Sequence, residues 1–151
     1  MPPVVAQRLL EDLILPMAAH VALSTVLYAL LTVARAPAVW GWGRAPDGRN
    51  PWAAVEPRIS ANLSNQFEWP LFFHIACLLL MVMGNAVDGR PAVGLAWVFI
   101  AGRVLHSAVQ IALPNLRLRG LVFTINFVAV LGLWAMLLLA VVGGSRGAGG
   151  G

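Results

Sequence analysis

The stretch LVFTINFVAVLGLWAMLLLAVV, residues 121–142, contains no charged side chain. A bilayer's hydrocarbon core of roughly 30 Å is crossed by about 20 mainly apolar helical residues, so this run has the length of a membrane span. Its two polar side chains, Thr124 and Asn126, are read as interhelical glue rather than as ligand contacts. Working outward, three more runs approach the same length, at about 13–33, 70–87 and 93–113. They are continuous rather than alternating, which favours helices over a barrel. With 151 residues, 60% hydrophobic, 11% charged and a mean hydropathy of +0.81, the chain reads as one all-α integral membrane domain, 1–151, built as a four-transmembrane-helix bundle.

The first run follows Glu11 and Asp12, exceeds a signal-peptide core and lacks a clear small-residue cleavage site, so it is expected to remain as helix one. Every basic side chain is an arginine. Arg35, Arg44, Arg49 and Arg58 lie between runs one and two, and Arg117 and Arg119 between runs three and four; Arg8, Arg90 and Arg146 belong to the other side. This bias puts the loop at 36–57 in the cytoplasm and both termini on the non-cytoplasmic side. The net charge of +4 is then accounted for by topology and the membrane surface, and no nucleic-acid motif is present. Cys77, the single cysteine, lies within run two, excluding an internal disulfide framework and reading as a buried, inert thiol.

Pro37, Gly41, Gly43, Pro46, Gly48, Pro51 and Pro57 oppose a continuous helix through the 36–57 loop, and Trp40, Trp42 and Trp52 suit headgroup depth. A short turn at Asn85–Pro91 makes runs two and three antiparallel, and Pro114-Asn115 closes run three. The glycine-rich stretch 143–151 reads as a flexible tail.

Residues 58–70, RISANLSNQFEWP, set polar groups at the mouth of run two. On a helix Arg58, Asn62, Asn65 and Trp69 share one face, with Gln66 and Glu68 on its flanks. Pro70 disfavours α geometry at Trp69, so the helix is expected to kink or begin there, a kink freeing a carbonyl near Gln66. The segment reads either as a ligand face or as a solvated helix extension. In run three Arg103, His106 and Gln110, at offsets of three and seven, make a polar stripe, accompanied by Ser107. An intramembrane arginine costs roughly 2.5–3.5 kcal/mol on insertion scales, so the stripe is expected to face the bundle interior with Glu68 as the natural partner of Arg103. That pair alone could simply lock two helices. Arg117 and Arg119, two residues apart, point to different helix faces, so only one turns toward the stripe. His20 is expected to be satisfied within helix one beside Ser24, and His74 to lie on the opposite side of helix two from Arg58 and Asn65. The histidines have no paired carboxylate spacing, so no metal site is expected, and no P-loop, nucleophile elbow or zincin motif occurs.

Asn65-Gln-Phe-Glu-Trp-Pro70 together with Ala101-Gly-Arg-Val-Leu-His-Ser107 resembles the MAPEG family, the membrane-associated proteins in eicosanoid and glutathione metabolism, and its bacterial branch especially. The resemblance covers essentially the whole chain. It implies a homotrimer in the bacterial inner membrane, with glutathione held between neighbouring protomers and a lipophilic small-molecule substrate arriving from membrane lipid. Against the family's helix-two motif Arg-x-x-x-Asn-x-x-Glu, one register matches Asn65 and Glu68 with Ala61 at the arginine position; the other matches Arg58 and Asn62 with Asn65 in place of glutamate. His106 and Gln110 stand where the leukotriene-forming members have tyrosines, and Arg117 falls on the arginine assigned to thiolate stabilisation.

The resemblance therefore implies a glutathione-dependent transferase or peroxidase acting on lipophilic electrophiles. Arg58 and Arg103 would meet carboxylates, Asn62, Asn65, Gln66, His106 and Gln110 would complete the binding surface, Glu68 would take the ammonium and Arg117 the thiolate. The alternative is a non-catalytic protein of the same fold binding a lipid or a protein partner. A transporter is disfavoured by the lack of inverted repeats and interrupted helix pairs.

Overall fold

The computed structural model describes residues 3–84 and 89–148, with side chains described over 9–84 and 89–143. Among the described residues the regular elements are all helices: α1 Pro3–Val39, α2 Glu56–Ser64, α3 Trp69–Met83, α4 Gly89–Ala112 and α5 Leu116–Ala148. Four helical spans are long and apolar enough to cross a membrane, Leu9–Val39, Glu56–Met83, Gly89–Ala112 and Leu116–Gly143. The second joins α2 and α3, so five helices make four spans. The turn expected at Asn85–Pro91 lies largely outside the described residues, and α5 continues to Ala148 into the stretch expected as a tail.

The joint between α2 and α3 is where sequence controls geometry most directly. Backbone bonds tighten to three-residue spacing, from Gln66 N–H to Leu63 O at 3.0 Å and from Phe67 N–H to Ser64 O at 3.0 Å. Helix then stops, because Pro70 has no N–H to continue the ladder, and α3 begins at Trp69 with Glu68 as an N-cap that makes no side-chain capping bond. The break expected from Pro70 is therefore present.

Two apolar clusters hold the bundle. One gathers Leu13, Phe73, Cys77, Leu80, Ala96, Phe99 and Leu133 from α1, α3, α4 and α5; the other gathers Leu27, Leu31, Ala34, Ile59 and Leu63 from α1 and α2. Phe73 and Phe99 stack with centroids 4.1 Å apart. Cys77 is fully buried in the first cluster. Small residues let α4 and α5 approach closely: a Cβ on Gly102 would fall 2.2 Å from Asn126 Oδ1, and one on Gly132 would fall 2.9 Å from Leu95 Cδ1. On the outside, Val21, Val33, Leu71, Leu78, Leu131 and Leu139 are exposed apolar side chains, as lipid contact requires.

Between α1 and α2 the chain turns through Gly41, Gly43 and Gly48, all at positive φ of 73–79°, which a side chain would oppose. The loop is pinned by Asn50 Nδ2 donating to Ala34 O and by the Arg35–Glu56 ion pair at 2.7 Å. Along α1 and along α2–α3 the two apolar clusters are separated by a layer of buried polar side chains.

Candidate functional site

That polar layer is one hydrogen-bonded network. Arg103 is 0% exposed; its Nε donates to Gln66 Oε1 at 3.1 Å and its Nη2 to the Asn65 carbonyl at 3.0 Å. α2 ends at Ser64 and α3 starts only at Trp69, so that carbonyl has no helical partner and the break supplies the acceptor that the buried guanidinium uses. The freed carbonyl is thus that of Asn65, next to Gln66, where one was expected. Gln66 Nε2 donates to Asn62 Oδ1 at 2.9 Å and to Ser107 Oγ at 3.3 Å, and Ser107 Oγ donates to Asn62 Oδ1 at 3.0 Å. Gln110 Oε1 accepts from Asn62 Nδ2 and Asn65 Nδ2, both at 3.2 Å, and from His106 Nε2 at 2.9 Å.

The stripe Arg103, His106, Gln110 therefore faces inward as expected, and Ser107 turns in with it. On α2 and the turn after it the inward polar residues are Asn62 and Gln66, so Gln66 is the hub rather than a flank; Asn65 is half-buried. Arg58 is peripheral, reaching the Ile111 carbonyl at 3.5 Å.

Three expectations are corrected. Glu68 is not the ion-pair partner of Arg103: among the described residues no salt bridge joins them, Glu68 is exposed beyond the helix break, and its charge reaches Arg103 only through space. His20 is not satisfied within its own helix: Ser24 Oγ donates to the His20 carbonyl, while the ring hydrogen-bonds Gln66 Oε1 through Nε2 at 3.1 Å. His74, expected on the far side of helix two as a packed or backbone-bonded histidine, meets a side chain instead, its Nε2 lying 3.1 Å from His20 Nδ1. The signal for His20 was its placement, with Ser24 four residues on, in the middle of an apolar helix, the same pattern that singled out the Arg103 stripe.

Beside the network opens a cleft of about 900 Å³, lined by the polar Asn65, Glu68, His106, Gln110 and Arg119 and by the aromatic Trp69, Phe72 and Phe123. A smaller one of about 370 Å³, lined in part by Arg58, Gln110, Asn115 and Arg119, flanks it. Arg119 lines both, whereas Arg117 is exposed and lines neither. Residues two apart on α5 cannot both face the cleft. Two buried atoms on the wall of the large cleft have no partner among the described residues, Trp69 Nε1 and His106 Nδ1. Gln110 Oε1 is an acceptor, so His106 Nε2 carries its hydrogen and the neutral ring presents Nδ1 as a bare acceptor. The cleft thus offers one unpaired donor, one unpaired acceptor, an arginine and a carboxylate beside an aromatic wall.

A family model, described as the MAPEG family, matches residues 13–139. The chain belongs to the MAPEG family. Its four apolar spans agree with that membership and make it an integral membrane protein. No curated protein and no solved structure is matched. Periodicity puts Trp69 of this MAPEG chain on the candidate ligand face without giving it a role there and leaves Arg119 as the alternative to Arg117, because which face of α3 or α5 borders a cleft is set by helix rotation within the bundle.

Proposed function

We propose that this MAPEG protein is a glutathione-dependent transferase or peroxidase that uses the 900 Å³ cleft. The observation that carries the reading is the pair of unpartnered buried atoms on the cleft wall, Trp69 Nε1 and His106 Nδ1. A buried polar group left unpaired costs about 1–3 kcal/mol, so both favour a polar ligand that supplies the missing bonds. Glutathione offers carboxylates, amides and an ammonium of the right chemistry. Glu68 and Asn65 suit its ammonium and peptide, and the Arg119 cation suits a carboxylate or thiolate. The cation favours the thiolate over the thiol, and the thiolate is the nucleophile. Its sulfur lone pair would form the new bond to an electrophilic carbon as the leaving group departs, or to a peroxide oxygen as the O–O bond breaks. Trp69, Phe72 and Phe123 would hold the apolar substrate. Assembly as a homotrimer in a bacterial inner membrane, with both termini outside, belongs to the same proposal.

Thermal stability of the detergent-purified protein, measured with glutathione, S-methylglutathione and no ligand, tests this. Both peptides should raise the melting temperature, and Trp69→Phe and Arg119→Ala should each reduce the rise. Absence of stabilisation by either peptide, together with no conjugation or peroxide reduction across a panel of electrophiles, would sink the proposal. A second reading, a non-catalytic protein of the same fold, is favoured by one observation: Asn62, Gln66, Arg103 and Ser107 bond one another and serve to join helices. It predicts that substitutions at Arg119 and Trp69 change no ligand affinity.

A further inference from the structure

On α1 and α3 a second, smaller pocket of about 300 Å³ is lined by His20, Ser24, Thr25, Tyr28, Gln66 and His74 together with Val21, Phe67 and Leu71. None of these residues except Gln66 belongs to the glutathione reading, and the chemistry of the pocket is independent of it. The pocket is flanked by Val21, Tyr28, Phe67 and Leu71, which are all exposed side chains at membrane depth. Its mouth is therefore framed by apolar side chains on the outer face of the bundle.

The hydrogen-bond directions in this pocket are set by one unambiguous donor. Arg103 Nε can only donate, so the Gln66 atom it meets at 3.1 Å is the amide oxygen. His20 Nε2, 3.1 Å from the same oxygen, must therefore carry a hydrogen. With a neutral ring, His20 Nδ1 is then a bare acceptor, and His74 Nε2, 3.1 Å away, must be the donor that meets it. The last atom in the series, Nδ1 of a neutral His74, is left as an acceptor, and it makes no hydrogen bond among the described residues. A chain of four side chains anchored on a buried cation thus ends in an acceptor on a residue that lines an apolar-flanked pocket. Ser24 and Thr25 cannot serve this acceptor as donors, because their hydroxyls are committed to the His20 and Val21 carbonyls. A ligand for this pocket needs an O–H donor at the tip of an apolar body, and a volume of about 300 Å³ suits the end of a chain rather than a whole lipid.

We propose that this pocket binds the hydroxyl-bearing end of a membrane amphiphile, a long-chain alcohol or a protonated fatty acid, whose O–H donates to His74 while its chain lies against Val21, Phe67 and Leu71. The Arg103–Gln66–His20 chain fixes the acceptor, so a ligand lacking an O–H, such as an ether or ester of the same length, finds only apolar contact. Bound here, the hydroxyl is linked through His74 and His20 to Gln66, on which the polar network converges.

The test uses the full chain with ¹⁵N-labelled histidine in phosphatidylcholine nanodiscs, whose lipids carry no O–H donor. Nitrogen spectra before any addition should show Nδ1 of both His20 and His74 without a hydrogen. Addition of dodecan-1-ol, or of dodecanoic acid at low pH, should then move the His74 Nδ1 resonance saturably, whereas 1-methoxydodecane should not. Tighter binding of the alcohol would identify the natural ligand as a hydroxyl lipid, and tighter binding of the acid a free fatty acid; either supports the site. His74→Phe should weaken the alcohol by about three- to tenfold, the range of one hydrogen bond, and leave the ether unchanged. The proposal is overturned if His74 carries its hydrogen on Nδ1, if no saturable shift occurs, or if the ether shifts the resonance as the alcohol does. The wild-type spectra decide these outcomes even if the variant does not fold.

Discussion

Replacing Gly102 with alanine tests whether α4 and α5 are as close as they stand. The added Cβ would lie 2.2 Å from Asn126 Oδ1, 3.1 Å from Asn126 Cγ and 3.4 Å from Ile125 Cγ2. Turning the amide about its last bond would move Oδ1 but leave Cγ too near, so the whole side chain would have to swing. Asn126 is 0% exposed, and it has nowhere open to go. Overpacking of this kind costs about 1–3 kcal/mol, against which the better helix propensity of alanine returns at most about 1 kcal/mol. The net loss should be about 1–2 kcal/mol, a fall of about 2–8 °C in melting temperature for a chain of this size. Gly132→Ala is the internal comparison: its Cβ would meet Leu95 Cδ1 at 2.9 Å, the end of a longer and partly exposed side chain that can turn away, so its effect should be smaller. In the double variant Gly102→Ala with Asn126→Ala the methyl occupies the space of the amide, and most of the loss should be recovered. Asn126 Nδ2 and Oδ1 both lack partners among the described residues, so removing the amide leaves no broken bond behind. Melting curves of these three variants and of Asn126→Ala in detergent, which complete a double-mutant cycle for the pair, give the numbers. A Gly102→Ala protein as stable as wild type, or a cycle with no coupling between positions 102 and 126, would refute the packing.

The same contacts set other outcomes. Arg103→Met should lower stability by about 1–3 kcal/mol, because the Asn65 carbonyl loses its donor while Gln66 Oε1 keeps only His20; chemical denaturation in detergent would measure it. Trp69→Phe should keep the stack on Phe127, whose centroid is 4.7 Å away, and so leave stability nearly unchanged while lowering stabilisation by glutathione. Arg119→Ala should impair glutathione binding more than Arg117→Ala, and equal effects in a thermal-shift titration would contradict the facing of α5. Asp47, exposed in the loop, has its carboxyl held below the usual carboxylate range by the Arg49 guanidinium. Its small contribution is therefore present above the ordinary carboxylate pKa and lost as pH falls through the lowered value, which a carboxyl NMR titration of wild type against Arg49→Ala would reveal.

The spans were legible because membrane burial demands length and apolarity, and 121–142 declares both. Pro70 announced the α2–α3 break, since a missing N–H is a property of the residue itself. The inward stripe Arg103, His106, Gln110 was legible for the same reason of local periodicity. What escaped depends on which helix faces which. Glu68 looked like the partner of Arg103 on charge alone, yet a neutral amide and a backbone carbonyl hold the guanidinium. His20 and His74 are 54 residues apart in sequence and meet only because α1 packs against α3. The choice between Arg117 and Arg119 turned on the rotation of α5 about its own axis, and no single helix encodes that.

The broken turn at Asn65–Glu68 has a consequence for how this chain can vary. Pro70 interrupts the helix, the Asn65 carbonyl goes unclaimed by it, and Arg103 claims that oxygen. Two features that would each be penalised alone, an interrupted helix and an arginine in a bilayer, cancel part of each other's penalty. A chain that lost only the proline would set a restored helix against its own arginine, and one that lost only the arginine would strand a carbonyl. The two positions form a lock whose halves are tolerable together and troublesome apart, so substitution at either should be absorbed best when the other changes with it.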